Sequence, residues 1–253
     1  ELLNIITIGI AVKKNQAGEY ESIKESAKDF IDQVIGTAKK RLTQFKEAVA
    51  HKEVKLLTKV LVAEDSKSLV NMIMENEHDL LVVSGKREHK LADVFDVPIR
   101  EKVIQLAHCP VLIINEKVEY FDVRKMVFAT QFRQEISQIV DSITSLKQLF
   151  NATGDLLYVN THHHFKTTYE IEDTAERFMD KYGLTGFNLT IFCDKKAEDG
   201  IMRYSERSGA DLTIVCTDGS NWMTQLFQGH IANNVVNESP KPVLIYNLAR
   251  IQK

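Results

Sequence analysis

The sequence predicts an α/β protein made of two tandem, doubly wound parallel-sheet domains, the first lacking its opening strand and helix in this chain. Two observations predict it: an internal repeat at a fixed offset, and short β-branched runs alternating with helical patterns. Asp79-Leu-Leu-Val-Val-Ser84 is followed by Cys109-Pro-Val-Leu-Ile-Ile114, and Asp211-Leu-Thr-Ile-Val-Cys216 by Lys241-Pro-Val-Leu-Ile-Tyr246. Asp to Pro is 31 residues in both, and matching positions lie 132 apart. The same offset sets Phe95 on Phe227, Val103 on Val235, and Lys55–Val62 on Phe187–Asp194. An offset held without a gap over roughly sixty residues marks two copies of one unit.

The second copy is the complete one. Its strands are expected near 124–130, 154–160, 187–193, 211–216 and 242–247, with helices near 133–150, 169–183, 196–208 and 229–238. Short strands that are apolar at most positions suit a parallel sheet covered on both faces. Right-handed crossovers then give the doubly wound, flavodoxin-like layering. The 133–150 helix carries an apolar stripe at Ile136, Ile139, Val140, Ile143, Leu146, Leu149 and Phe150.

The first copy has strands expected at 2–12, 54–62, 79–84 and 110–114, and a long helix near 20–49. Leu2-Leu-Asn-Ile matches Leu156-Leu-Tyr-Val, the second strand of the other copy. The counterpart of 123–153 is therefore missing, and a sheet without its central strand exposes unpaired backbone groups. An upstream segment, or one supplied by a partner, is the expected remedy; a rearranged four-strand half is the alternative. The domains are read as 1–117 and 118–253. The connection Asn115-Glu-Lys-Val-Glu-Tyr-Phe-Asp122 is too short for a free tether, so the two sheets should pack together.

A net charge of −3 lacks the basic stripe that nucleic-acid binding needs. No apolar run reaches the roughly 18 residues of a membrane span, so direct membrane insertion is not expected. Cys109, Cys193 and Cys216 form no CxxC pair and read as buried free thiols in a reducing cytoplasm.

These features resemble the universal stress protein family in its tandem two-domain form. The resemblance rests on the βαβ order, on the Cys109-Pro-Val-Leu-Ile and Lys241-Pro-Val-Leu-Ile strands, and on Asp79 and Asp211 opening the preceding strands. It implies an adenine-nucleotide α-hydrolase-like fold and a cytoplasmic, often dimeric protein with a role in stress survival. It also implies a site, because nucleotide-binding members carry G-x-x-G, nine residues, then G-(S/T). Glycines there let backbone N–H groups close on phosphates at a helix start. The second copy aligns as Cys216-x-x-Gly219, nine residues, then Gly229-His230, so two of three glycines persist. The first copy has Ser84, Arg87, Val97 and Pro98 instead, with Gly85 one position off, and is not expected to bind a nucleotide. The family's acidic turn after the first strand reads Ala129-Thr130-Gln131-Phe132, without the charge. The candidate cofactor-binding set is thus Thr130, Gln131, Val159, Val215, Cys216, Gly219, Gly229 and His230.

Other chemistry is sparse. His162, His163 and His164 follow a strand and, with His230, suit a borderline metal by donor type. No Cys or acidic ligand stands at a recognisable spacing, so the run reads as a solvated loop and no metal is assigned. Trp222 reads as a loop anchor or as part of the cleft. No GxSxG, HExxH or Gly-Lys-Ser/Thr motif is present, and no catalytic residue is assigned. The sequence is expected to encode a non-catalytic regulatory protein, not an enzyme, acting through a protein partner or itself as a homodimer. No cofactor is required, although the second copy leaves room for ATP or another adenine nucleotide. The alternatives are a nucleotide or small-ligand sensor using the second copy, and a cytoplasmic regulatory domain of a larger protein.

Overall fold

The computed structural model describes residues 25–48, 57, 59–61, 66–75, 77–84, 97–116, 118, 120–132, 135–217 and 239–251. They belong to two compact units, Glu1–Asn76 and Glu77–Lys253. The first unit contains α1 (Glu25–Ala48), which buries Ala38 and Leu42 one turn apart, and α2 (Ser66–Met74), which buries Leu69, Val70 and Ile73. The expected helix at 20–49 is present as α1. Leu57 and Lys59–Leu61, within the expected strand at 54–62, are in no strand. The expected strand at 2–12 lies outside the described residues.

The second unit is one mixed sheet. Its elements are β1 (Leu81–Ser84), α3 (Val97–Leu106), β2 (Val111–Ile114), β3 (Lys125–Ala129), α4 (Ser137–Leu149), β4 (Thr153–Thr161), α5 (Thr168–Tyr182), β5 (Phe187–Asp194), α6 (Ala197–Ser208), β6 (Leu212–Thr217) and β7 (Val243–Asn247). The strand order is β1-β2-β7-β6-β3-β4-β5, parallel throughout except between β2 and β7. The second copy supplies β7-β6-β3-β4-β5, the doubly wound order with its switch point between β3 and β6. The first copy adds β2 and β1, and among the described residues no strand lies beyond β1.

The copies meet edge to edge, not face to face. β2 and β7 pair antiparallel, Val111 opposite Ile245, Leu112 opposite Leu244 and Ile113 opposite Val243. Leu112 and Leu244 are equivalent residues 132 apart, so a local two-fold axis passes between them. Asn247 ends β7 and Asn115 follows β2, and each reaches across this axis. Asn247 Nδ2 donates to the carbonyls of Ile104 and Gln105 (3.2 and 2.9 Å), satisfying the last turn of α3. Asn115, its counterpart, donates from Nδ2 to Ser239 O at 3.1 Å and accepts from Arg100 Nη1 at 3.2 Å.

Strand alternation sorts the second copy's side chains by face. Met126, Phe128, Leu156, Tyr158, Ile214, Cys216, Leu244 and Tyr246 join Ile136, Ile139 and Ile143 of the α4 segment and Ile171, Ala175 and Phe178 of α5 in one core. Leu149, expected on the α4 stripe, is exposed, because the stripe rotates off the sheet at the helix end. Val127, Asp155, Leu157, Val159, Thr213 and Val215 face α6. Local signals fix the boundaries. Thr167 and Glu170 form a capping box that starts α5, and Gly183 and Gly209 end α5 and α6 at φ 60° and 69°. The Asp211 carboxylate accepts the N–H groups of Arg124 and Lys125 at 2.9 and 3.0 Å, tying the start of β6 to that of β3.

Under α6 lies a buried polar network. Asp155 Oδ2 receives Tyr204 Oη at 2.6 Å and pairs with Lys125 Nζ at 2.9 Å, and Tyr204 Oη lies 3.2 Å from Thr190 Oγ1. Burial pushes the Asp155 carboxyl up, but the Tyr204 hydroxyl and the Lys125 ammonium outweigh it and leave it below its ordinary value. This network ties β3, β4, β5 and α6 together at the amino edge of the sheet, opposite the candidate site.

Candidate functional site

Five of the candidate residues, Thr130, Gln131, Val159, Val215 and Cys216, lie toward the carboxyl edge of β3, β4 and β6, where doubly wound sheets bind ligands. Ala129, the last residue of β3, pairs with Val215 of β6, and Thr130 N–H extends the ladder to Leu157 O at 3.0 Å. Val159 lies two residues further along β4. Gln131, Val159 and Val215 are each half-buried, and Val159 and Val215 project on the α6 face.

Thr130 and Cys216 do not share that face. Cys216 is buried in the core under α4 and α5. Thr130 is buried, and its Oγ1 accepts the Phe132 N–H at 3.1 Å, closing a tight turn. Phe132 is held at φ 59°, a left-handed conformation that a bulky residue rarely adopts. Its ring stacks on Tyr158 at 5.8 Å and tilts against Phe178 at 5.4 Å. This aromatic packing draws the β3–α4 turn into the core and leaves Gln131 as the polar side chain of the turn at the edge. Gly219, Gly229, His230 and Trp222 lie outside the described residues.

Gly200 of α6 closes one wall. A Cβ added there would collide with Val159 Cγ1 and stand 3.1 Å from Asp194 Cβ. A β-branched neighbour has little room to turn aside. Gly200→Ala is therefore expected to cost about 1–3 kcal/mol, the range for overpacking, in a urea denaturation midpoint. A change under about 0.5 kcal/mol, the usual range for a surface site, would show that the wall yields.

Two charged features flank this wall, and the sequence did not single out either. Asp194 ends β5, and its two carboxylate oxygens share one donor, Arg203 Nη1 (3.1 and 2.9 Å), while Oδ1 also accepts the Lys195 N–H. Glu198, in the first turn of α6, is 3% exposed, and its Oε1 has no hydrogen-bond partner. Burial, reinforced by the nearby Asp199 and Asp194 charges, pushes the Glu198 carboxyl up. In the run Lys195-Lys-Ala-Glu-Asp199 it reads as a solvated charge. The signal was its spacing from Ile201 and Ser205, which share its buried stripe.

His162–His164 form an exposed 3₁₀ turn, with the first two rings 3.6 Å apart by centroid. Asn160 fixes this loop by donating to Lys166 O at 2.8 Å and accepting Lys166 N–H at 3.1 Å. Among the described residues no group of three or more His, Cys, Asp or Glu side chains is placed to hold a metal. No helix among them is long and apolar enough to cross a membrane.

None of the curated proteins matches the chain in sequence. Among solved structures, a functionally unknown protein of Pseudomonas aeruginosa PAO1 superposes with a TM-score of 0.63 at 14% identity, covering 98% of this chain and 92% of that one. A universal stress protein of Archaeoglobus fulgidus DSM 4304 gives 0.63 at 14%, covering 96% and 85%. A universal stress protein of Archaeoglobus fulgidus in complex with dAMP gives 0.36 at 13%, covering 49% of this chain and 98% of its own. The model of the universal stress protein family matches residues 10–115 and 190–247, more than half of the sequence. The chain therefore belongs to the universal stress protein family.

Proposed function

We propose that this protein is a non-catalytic, regulatory member of its family that works through protein contact, with little or no ATP binding. The β3–α4 turn carries this reading. It has lost the acid expected at Gln131, and its next residue, Phe132, is committed to the core with Tyr158 and Phe178. The sequence adds that the first copy retains no glycine of the phosphate pattern in place, and the second retains two of three. The partner is another protein or a second copy of this chain. Three free cysteines suit a reducing cytoplasm as the place of action; Cys109 and Cys216 are buried as expected, whereas Cys193, near the end of β5, is exposed.

Calorimetric titration with ATP tests this. The expected dissociation constant is weaker than about 100 μM, or about −5.5 kcal/mol. Tighter binding that Gly229→Val abolishes would overturn the proposal. A second reading, a small-ligand sensor in the second copy, is favoured by the half-buried Val159 and Val215 on one face of the carboxyl edge, with the half-buried Gln131 at the end of the neighbouring strand.

A further inference from the structure

β1 is built to the plan of β6 but lacks one of the neighbours that β6 has. It pairs with β2 as β6 pairs with β7, in one register: Leu81 stands opposite Val111, and the equivalent Thr213 opposite Val243. The bond at the strand start repeats as well. Leu81 N–H donates to Pro110 O at 2.9 Å, and Thr213 N–H to Pro242 O at 3.1 Å. On its other edge β6 pairs with β3, Met126 to Ala129 against Leu212 to Val215. Among the described residues β1 has no strand on that edge.

Three residues there are exposed although their counterparts are engaged. Leu212 and Ile214 are 2% and 0% exposed, in the core beneath α4 and α5. Their equivalents Leu80 and Val82 are 46% and 57% exposed. Alternation puts these two on one face of β1, while Val83, on the other, is buried. Asp211 holds the N–H groups of Arg124 and Lys125, where β3 begins, whereas its equivalent Asp79 is exposed. An open edge flanked by apolar side chains invites pairing, and folded proteins cover such edges. The second copy shows what covers this one. A parallel strand pairs with the edge, and the helix that follows it buries Ile139 and Ile143 in the same core as Ile214.

We infer that the edge and open face of β1 dock a strand–helix segment from outside residues 1–253, carried by the same polypeptide. Its strand lies parallel to β1, its first N–H groups meet the Asp79 carboxylate, and its helix lays an apolar stripe over Leu80 and Val82. The order of the repeat gives the source. β3 and α4 come directly before β4, and the match to β4 in the first copy is Leu2–Ile5, so the segment belongs ahead of Leu2. The inference concerns the first copy and stands whatever the ATP titration gives for the second.

Thiol labelling of Val82→Cys reads this face, in a Cys193→Ser background because Cys193 is itself exposed. The introduced thiol should react at least about tenfold more slowly in the complete product of the gene than in the 253-residue chain. Leu80→Cys gives the same reading should Val82→Cys fail to fold. In the complete product Asp79→Ala removes the anchor of the docked strand and should speed labelling about fivefold. Equal rates in the two proteins overturn the inference, as does a complete product that adds no strand–helix pattern, or an Asp79→Ala variant that labels like its parent. Protection of the 253-residue chain that grows with its own concentration would overturn it in favour of a second copy. Protection of the complete product that is lost on purification would overturn it in favour of a separate protein.

Discussion

Replacing Asp155 by alanine is expected to cost about 3–5 kcal/mol, the range for removing one partner of a buried ion pair. The carboxylate is 5% exposed and holds Lys125 and Tyr204, which belong to different elements. Its loss strands a half-buried ammonium and a hydroxyl beneath α6. Urea denaturation is the measurement, and a loss below about 1 kcal/mol, typical of a surface pair, would show the network to be incidental. The pH dependence has a definite sign. A carboxyl held below its ordinary value contributes stability that is fully present above the unfolded value, about 3.9, and is lost as pH falls through the lower folded value. The stability gap between the parent and Asp155→Asn should then be flat from about pH 5 to 8 and should close in more acidic solution.

Asn247→Ala is the second large effect. The side chain supplies donors to two carbonyls at the end of α3, and the deletion leaves those helix-end groups unpaired in a buried junction. An expected cost of about 2–3 kcal/mol follows from two lost hydrogen bonds with buried acceptors. Asn115→Ala, which releases a single carbonyl and the Arg100 contact, should cost about 1–2 kcal/mol. Equal effects near zero for both would mean that water replaces the amides without penalty. The contrast between the two variants, read by thermal and urea unfolding, is the sharper measurement.

The second copy's fold was legible because its signals were local. Runs such as Leu212–Thr217 and Phe187–Asp194 are apolar, β-branched and bounded by turns, and they became β6 and β5 within a residue or two. The repeat offset fixed the equivalence of β2 and β7. It could not show how they meet, because antiparallel pairing across two equivalent edges is a long-range contact without a local pattern. The alternation of β3 and β6 likewise decides which candidate residues share a face. The list that the family resemblance implied joined Thr130 and Cys216 to Gln131, Val159 and Val215, although Cys216 turns into the core under α4 and α5 and Thr130 closes its own turn. Glu198 escaped notice because a charged residue among lysines and aspartates looks solvated until the helix phase is known. Asn115 and Asn247 were in plain view at the repeat offset, but an asparagine after a strand more often signals a turn than a clamp.

The axis between Leu112 and Leu244 has an evolutionary consequence. Where two separate identical chains meet on such an axis, every substitution appears on both sides at once, and an edge must remain complementary to itself. In a single chain the two sides mutate independently. The asparagines already show this freedom, since one holds two helix carbonyls and the other holds one carbonyl and an arginine. The same release from symmetry shows in the sequence, where the second copy carries Gly219 and Gly229 and the first carries Arg87 and Val97 at the equivalent positions.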